Sequence, residues 1–490
     1  MKKNILETAR IKCSEWIQKK NSAPIGKLDW ILLGVMAVFM FFTMFYTDLQ
    51  SIYNQGLNFW DCLIACDMGN FYTYSLEHQY AGFAATYYWI VYAVIGIWNL
   101  PIWILRQAFG INVYSVKCML WSKLQMVFFL VLTLWMLEKI MRDFGFEKKK
   151  CRFAQFLFAS SLMVILPTVA ISQIDIITVF LMLWGIREYL KSERITWKFL
   201  LIFAFASALK IFAMFVFIPL VMLREKRILA VVGDLAVGTV FILASLLPYA
   251  GRADYLEATS VLNDVMVDRM FETVFPTGNL QIPAFLTIFV GICIWAYVTK
   301  IKSKEKYLYY VNWIALAVFA VFFIFVFAHP YWILLLAPYV VLLIMMNPER
   351  MKINMLLTFF MEVAVTIVYC GTFGVYMTEN NFADLVLTRL GMQPLREGYF
   401  SFGEWATQNE WEPYLATLFG IFAACLVALL ILNRPGKVKT AEKTSENISY
   451  SLEWKEHVKE ELEFDHGMIY LRLGMILAYI LGCVYFAYIN

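Results

Sequence analysis

The sequence predicts an all-α protein, a polytopic transmembrane helical bundle. Of its 490 residues, 61% are apolar and only 16% are charged, and the mean hydropathy is +0.66. A soluble core cannot bury that much apolar surface. The apolar residues fall in runs of roughly 17 to 25, the length that a helix needs to cross about 30 Å of hydrocarbon. Many aromatic residues stand at the ends of these runs, where amphipathic rings favour the headgroup region.

The apolar runs define about eleven full spans. The first run, from Trp30 to Tyr46, is too long for a signal peptide and lacks a small-residue cleavage site, so we interpret it as a retained span. The predicted spans are residues 28–46, 118–141, 153–170, 174–190, 228–250, 282–299, 307–327, 331–347, 353–377, 413–432 and 468–488.

Two further apolar stretches are not counted as full spans. A span over residues 85–104 would place the basic loop 142–152 outside, against the positive-inside rule, so this stretch is predicted to be an outer interfacial helix. Residues 199–223 are too short for two crossings, and one crossing would place the lysines of 300–306 outside. A re-entrant hairpin at half depth, with its tip near Lys210, satisfies both constraints.

This topology places 31 Lys and Arg residues in inner segments and 6 in the large outer loops. It therefore predicts a cytosolic amino terminus, an external carboxyl terminus and large loops that face outward. The predicted parts are a cytosolic basic amino terminus (1–27), a transmembrane catalytic module (28–432) with outer loops 47–117, 251–281 and 378–412, a cytosolic amphipathic tail (433–467) and a last transmembrane helix (468–490). The tail carries Trp454, Val458 and Leu462 at four-residue intervals, the apolar stripe of a helix that lies on the inner leaflet.

Common cofactor and metal patterns are absent from the sequence. It contains no phosphate-loop, dinucleotide, HExxH or zinc-ligand motif, so neither a cofactor nor a metal is predicted. The net charge of +4 gives no indication of nucleic-acid binding. Cys62 and Cys66 form a CxxxC, which we interpret as two free thiols on one helix face; a disulfide stays open only if their loop faces an oxidising compartment.

Polar residues at the predicted outer ends of the spans are the candidates for chemistry. Asp48, directly after the first span, is either an interface charge that ends the helix or a general base that takes a proton from an acceptor hydroxyl. Gln173 and Asp175 lie in a tight turn between two spans, and form either an ordinary polar turn or part of a site. Lys210 near mid-membrane costs roughly 2.5 to 3.5 kcal/mol, so it should face a wet cavity or an anion unless it reaches past its own hairpin tip to the surface.

Three outer residues have weaker signals. His329 stands beside Tyr331 in a turn between two spans, and such a histidine is either a binding residue or a solvated turn residue. Arg252 and Arg269 in the loop 251–281 either clamp a phosphate or are rim charges balanced by nearby aspartates. The sequence does not separate these alternatives.

The order of these features resembles the GT-C superfamily of glycosyltransferases, and most closely bacterial mannosyltransferase-like proteins related to the second mannosyltransferase of GPI-anchor synthesis. The family has an aspartate after the first span, as at Asp48, then a tyrosine-rich interfacial segment similar to residues 87–89. Its WGQIDS-like turn resembles residues 171–175, and a small-residue stretch that ends in lysine resembles residues 206–210. Its MHERY-like outer motif is matched in part by residues 329–331. The likeness covers roughly residues 40 to 345.

The resemblance implies an inverting transferase that moves a mannose-like hexose from a polyprenyl-phosphate donor to a lipid-linked or cell-envelope glycan acceptor, outside a bacterial plasma membrane. It implies Asp48 as the base and Lys210 as the cation for the departing phosphate, and expects donor contacts from the other candidates. Two departures bear on substrate: Ile171 and Ser172 replace the Trp-Gly, and Pro330 replaces the acidic residue. A lipid-linked sugar flippase or secondary transporter is the alternative, although the chain lacks the related halves expected of one. A non-catalytic scaffold is a third possibility.

Overall fold

The computed structural model describes residues 25–80, 82–263, 267–301, 303–373, 401–435 and 466–486, and most of these residues are helical. The helices of the first half are α1 Lys27–Thr43, α2 Thr47–Ile64, α3 Phe71–Glu77, α4 Trp89–Phe109, α5 Val116–Asp143, α6 Lys148–Ala159, α7 Leu162–Ile165, α8 Asp175–Lys191, α9 Trp197–Leu209 and α10 Ala213–Arg224. Those of the second half are α11 Ile228–Gly238, α12 Val240–Leu246, α13 Ala253–Asn263, α14 Arg269–Glu272, α15 Ala284–Val298, α16 Lys304–Phe325, α17 Ala337–Met346, α18 Met351–Thr372, α19 Phe402–Gln408, α20 Glu412–Leu432 and α21 His466–Val484.

Every predicted span coincides with a helix or a broken helix, which confirms the all-α polytopic bundle. Among the described residues, six helices are long and apolar enough to cross a membrane, or up to nine if each bent pair is one span. The count of eleven is therefore not confirmed. Eight of the eleven predicted spans are among these nine, and the ninth is α4, which was not predicted as a full span. The other three predicted spans coincide with α8, α15 and the segment Pro330–Met346, which are each at most 17 residues long. A two-stranded antiparallel hairpin, Val274–Thr277 with Leu280–Pro283, lies in the loop 251–281.

The interfacial position predicted for residues 85–104 stays a prediction. The helix there, α4, is by length and composition one of the six that can span a membrane. It packs closely along the polar helix α2, since a Cβ at Gly96 would lie 2.8 Å from the carbonyl oxygen of Gly56. Trp60 Nε1 donates to the Gly96 carbonyl at 2.7 Å across the same contact. This contact fixes α2, the helix that begins at Thr47.

The turn of the chain predicted near Lys210 is confirmed, and the half-depth re-entrant position of residues 199–223 stays a prediction. Lys210 is in an extended conformation between α9 and α10, with φ −152° and ψ 116°. At the far end of α10, Arg224 donates to the carbonyls of Tyr189 and Ser192, which lie at the end of α8 near the start of α9. Both ends of the hairpin therefore lie at one end of α8, and Lys210 lies at the other, where Asp175 begins that helix.

A buried ion pair stabilises the break between α6 and α7, where the two segments meet at 63°. Arg472 Nη2 of α21 lies 3.0 Å from Glu362 Oε1 of α18. The same carboxylate accepts from Ser161 Oγ at 3.0 Å and from the Leu162 backbone N–H at 3.1 Å. The break frees backbone groups inside the bundle, and the carboxylate satisfies one of them. The chain that leads to the turn 171–175 is thereby held from two other helices.

Three predictions lie wholly or mostly outside the described residues. They are the basic amino terminus 1–27, of which the structure describes residues 25–27, the amphipathic tail with Trp454, Val458 and Leu462, and the loop 378–412, of which it describes residues 401–412.

Cys62 and Cys66 are free thiols. Cys62 is buried in α2, whereas Cys66 is exposed and lies beyond Ile64, where that helix ends, so the prediction that they share one helix face is wrong.

Candidate functional site

Asp48 lies in the first turn of α2, at a sharp bend of the chain. Helix α1 ends at Thr43, three residues follow without helical structure, and α2 then departs at 65° to α1. An acidic side chain in the first turn interacts favourably with the positive end of the helix dipole. The bend thus presents a carboxylate at the end of the bundle rather than continuing the apolar helix.

Two residues distant in sequence bind this carboxylate. Gln173 Nε2 donates to Asp48 Oδ2 at 3.0 Å, and the Tyr331 hydroxyl donates to the same oxygen at 2.8 Å. The Asp48 side chain is only partly buried. Because Oδ2 accepts both bonds, Oδ1 is the oxygen left for an incoming group.

The turn that carries Gln173 and Asp175 has an irregular backbone. It follows a π-helical turn, Leu166–Ala170, and the Gln173 backbone N–H donates to the Pro167 carbonyl at 2.8 Å. Ser172 has φ of +65°, a left-handed conformation that costs a residue other than glycine roughly 1 to 3 kcal/mol. The strained turn directs Gln173 toward Asp48 before Asp175 starts α8.

Lys210 faces an anion, as expected of a buried lysine. Its Nζ lies 3.5 Å from Asp175 Oδ1, and the two side chains are 1% and 0% exposed. The ammonium also donates to the Tyr87 hydroxyl at 3.2 Å, and it lies 4.8 Å from the centroid of the Tyr87 ring and 5.4 Å from that of Trp332. The partner of Asp175, which is absent from the neighbouring sequence, is therefore supplied by the hairpin tip. Lys210 does not reach past the tip to the surface.

The turn at residues 329–332 contributes three rings, those of His329, Tyr331 and Trp332. The His329 and Tyr331 rings lie 4.2 Å apart, and His329 lies 6.0 Å from Trp332. Burial, together with the charges of Lys210 and Arg269, lowers the pKa of His329 to about 3. The imidazole is therefore neutral near pH 7, and it can donate or accept one hydrogen bond without adding charge.

Several buried polar atoms around this cluster have no hydrogen-bond partner among the described residues. They are Ser172 Oγ, Gln173 Oε1, both carboxylate oxygens of Asp175, Ser207 Oγ, His329 Nδ1 and Trp332 Nε1. A buried polar group without a partner costs roughly 1 to 3 kcal/mol, so native proteins contain few of them. Gln173 Oε1 and the Asp175 carboxylate can accept from ligand hydroxyl groups, such as those of a sugar, whereas Trp332 Nε1 can donate to an anionic oxygen.

The two arginines lie apart from Asp48 and Lys210. Arg252 forms an ion pair of 2.9 Å with Asp254 and donates to the Gly69 carbonyl at 2.6 Å, so its guanidinium is bound between the loops 47–117 and 251–281. Arg269 donates to the Phe327 carbonyl at 2.8 Å, beside the turn that carries His329. Arg269 is thus at the edge of the cluster and Arg252 is not part of it. A phosphate contact by either arginine stays a prediction.

The structure therefore brings together five candidates, Asp48, Gln173, Asp175, Lys210 and Tyr331, with His329 adjacent. Within the described part of the chain, no group of three or more His, Cys, Asp or Glu residues is arranged to hold a metal ion.

A comparison with protein families gives this cluster a chemical context. Residues 108–348 match the model of glycosyltransferase family 87. The match indicates a membrane glycosyltransferase, which confirms the coarser part of the resemblance; it does not bear on the relation to the second mannosyltransferase. The family 87 match contains all of the candidates except Asp48, which precedes it. No curated protein and no solved structure matches the chain.

Sequence reasoning assigned no role to three residues of this region. Tyr87 was noted only as part of a tyrosine-rich segment, and Trp332 only as a neighbour of His329, yet both rings face the Lys210 ammonium. Lys123 is a buried lysine near the start of the apolar helix α5. Its signal was available, because an ionisable residue within a span is rare and is a functional candidate by default.

Proposed function

We propose that the chain is an inverting hexosyltransferase of the membrane. It transfers a mannose-like sugar from a polyprenyl-phosphate donor to a lipid-linked or cell-envelope glycan acceptor at the outer face of a bacterial plasma membrane. The observation that carries the proposal is the cluster itself. A half-buried carboxylate and a buried ammonium lie at one end of the bundle, and several polar atoms around them lack hydrogen-bond partners among the described residues.

The reaction is a single displacement. The acceptor hydroxyl oxygen attacks the anomeric carbon, the bond from that carbon to the phosphate oxygen breaks, and the anomeric configuration inverts. Asp48 Oδ1 takes the proton of the hydroxyl as general base. The phosphate leaves with the bonding electron pair as an anion next to Lys210, whose positive charge stabilises it in a site from which water is largely excluded. No redox step is involved.

Gln173 and Tyr331 orient the base. Both donate to Asp48 Oδ2, so the carboxylate plane is fixed and Oδ1 is directed away from them. Burial raises the pKa of Asp48 above its ordinary value, and the hydrogen bonds from Tyr331 and Gln173 oppose that rise. The contact of Asp175 with Lys210 keeps the cation buried in the absence of donor, and His329 and Trp332 offer further hydrogen-bonding atoms to the sugar phosphate.

The alternative, a flippase or secondary transporter, is favoured less by the distribution of charge. A transporter needs ionisable residues along a path through the bilayer. Here the candidate residues gather at one end, while the buried pair of Arg472 and Glu362 has its hydrogen bonds within the fold. The family 87 match supports transfer rather than transport.

The test is a transfer assay with purified protein, a panel of polyprenyl-phosphate sugars and membrane lipid extracts as acceptor. Asp48→Asn is nearly isosteric, and its amide oxygen can still accept from Gln173 and Tyr331. Turnover should fall by about 100- to 10,000-fold because the base is gone. Donor binding and thermal stability should stay unchanged.

Asp61→Asn is the matched control on the same helix. Asp61 is an acid of α2 that pairs with Arg106 and accepts from Trp103 Nε1 at 2.9 Å, away from the cluster. It should retain more than about half of the activity. Near-normal transfer by Asp48→Asn, or equal loss in both variants, would exclude Asp48 as the base. Absence of transfer with every donor in the panel would count against the proposed reaction.

A further inference from the structure

A lysine outside the cluster makes an unusual set of contacts. Lys123 lies in α5 and its side chain is fully buried. Its Nζ donates to three backbone carbonyls of the segment before Asp48: those of Met40 at 3.4 Å, Phe41 at 2.9 Å and Met44 at 2.5 Å. The contact joins α5 to the end of α1, some 80 residues earlier in the chain.

Three carbonyl acceptors match the number of N–H donors of a protonated lysine. An ammonium has three such donors and a neutral amine has two. The Phe41 and Phe45 rings lie 5.2 Å and 4.9 Å from Nζ, within the distance at which a cation is attracted to a ring face. The carboxyl end of a helix carries a partial negative charge, which favours a cation there. The side-chain nitrogen of Lys123 therefore caps the end of α1.

The capped segment is the bend that positions Asp48. Helix α1 ends at Thr43, and the last carbonyls of a helix have no partner within it. Met44 and Phe45 are buried, so no water replaces that partner and the bend needs a donor from elsewhere in the protein. Met44 is four residues before Asp48, and the bend of 65° between α1 and α2 lies between them. The lysine supplies the donor at the point where the direction of α2 is set.

We propose that Lys123 is a positioning residue for Asp48: it holds the bend between α1 and α2 so that the carboxylate meets the acceptor hydroxyl. This inference rests on the proposed function, because it acts through the proposed base. It requires no contact between Lys123 and substrate. It predicts that changes at Lys123 alter the rate of the chemical step more than they alter donor binding.

A graded series of variants tests the role. A misplacement of about 1 Å in a catalytic group can cost about 100-fold in rate. Lys123→Met removes charge and donors, and should lower kcat by about 10- to 100-fold with KM for the donor changed less than about 3-fold. Lys123→Gln keeps two donors without charge and should lie between methionine and wild type. Lys123→Arg keeps both charge and donors and should restore most of the rate.

Lys139→Met is the control on the same helix. Lys139 lies over the Trp135 ring at 5.6 Å, away from the bend. Its replacement should leave kcat unchanged. Thermal unfolding and size-exclusion chromatography in detergent check that each variant is folded; if the methionine variant of Lys123 does not fold, the glutamine and arginine variants give the comparison.

A double-mutant cycle separates positioning from general damage. If Lys123 acts only through Asp48, adding Lys123→Met to Asp48→Asn should not lower the residual rate further. A purely structural role would lower both backgrounds by the same factor, and that result would overturn the inference.

The cycle also separates the inference from the proposed function. If Asp48→Asn is slow while the folded Lys123 variants transfer at the wild-type rate, the inference fails and the proposed function stands. If Asp48→Asn is fully active, the base assignment fails and the inference fails with it.

Discussion

Replacing Lys210 by methionine tests whether its ammonium binds the donor phosphate. Because Lys210 is paired with Asp175, the experiment needs a double variant as well as the single one. Lys210 Nζ lies 3.5 Å from Asp175 Oδ1, with both side chains buried. Removing one partner of a buried ion pair leaves the other charge uncompensated, at a cost of about 3 to 5 kcal/mol in the free energy of unfolding. Lys210→Met alone would therefore mix a loss of stability with any loss of donor binding.

The double variant Lys210→Met/Asp175→Asn removes both charges together. We expect its destabilisation to be less than half that of the single variant, because no unpaired charge is left buried. Asp175→Asn alone is the matched reference for donor affinity, since it keeps the cation and changes the acid in the same way. It leaves Lys210 unpaired, so it should be less stable than the double variant, and its thermal unfolding is measured as well. The comparison of the double variant with this reference isolates the contribution of Lys210.

The expected effect on donor affinity follows from the hydrogen bond that would be lost. A hydrogen bond to a charged group contributes about 1.5 to 3 kcal/mol, which corresponds to about 10- to 100-fold in Kd. The assay is binding of a polyprenyl-phosphate sugar to detergent-purified protein, with thermal unfolding measured in parallel. If the double variant binds donor as tightly as the Asp175→Asn reference, Lys210 does not contact the donor phosphate.

Two further predictions concern the indole of Trp332 and the orientation of the protein in the membrane. Trp332 Nε1 is buried without a partner among the described residues. Trp332→Phe should weaken donor binding by about 3- to 10-fold, the contribution of one neutral hydrogen bond, with little change in unfolding temperature. Unchanged affinity would exclude the indole as a contact of the sugar donor. For orientation, a cysteine placed at the exposed Lys149 in a Cys66→Ser background should resist a membrane-impermeant thiol reagent in intact cells, whereas one at the exposed Glu257 should react. The opposite labelling pattern would invert the proposed topology and move the site to the inner face.

The class of fold follows from local properties of the sequence. Run length and hydropathy fix where helices form, because a chain in hydrocarbon has to satisfy its backbone hydrogen bonds within each helix. Each predicted span therefore coincides with a helix, and the break at Lys210 could be read from charge placement and span length. Run length and hydropathy did not determine the number of membrane crossings, because short apolar helices such as α15 have the composition of a span but not its full length.

The sequence also indicated the individual site residues, because an acid at the end of a span or a lysine within one is costly enough to need a reason. It could not show which of them meet. Gln173 and Tyr331 are 125 and 283 residues from Asp48, and Lys210 reaches Asp175 only because the hairpin turns back along α8. Arg252 looked equivalent to Arg269 in sequence, yet Asp254 and the Gly69 carbonyl occupy it in the fold. Residue types and helix positions are local properties that the sequence determines by itself; partners are set by long-range packing of helices, and only the tertiary structure decided them.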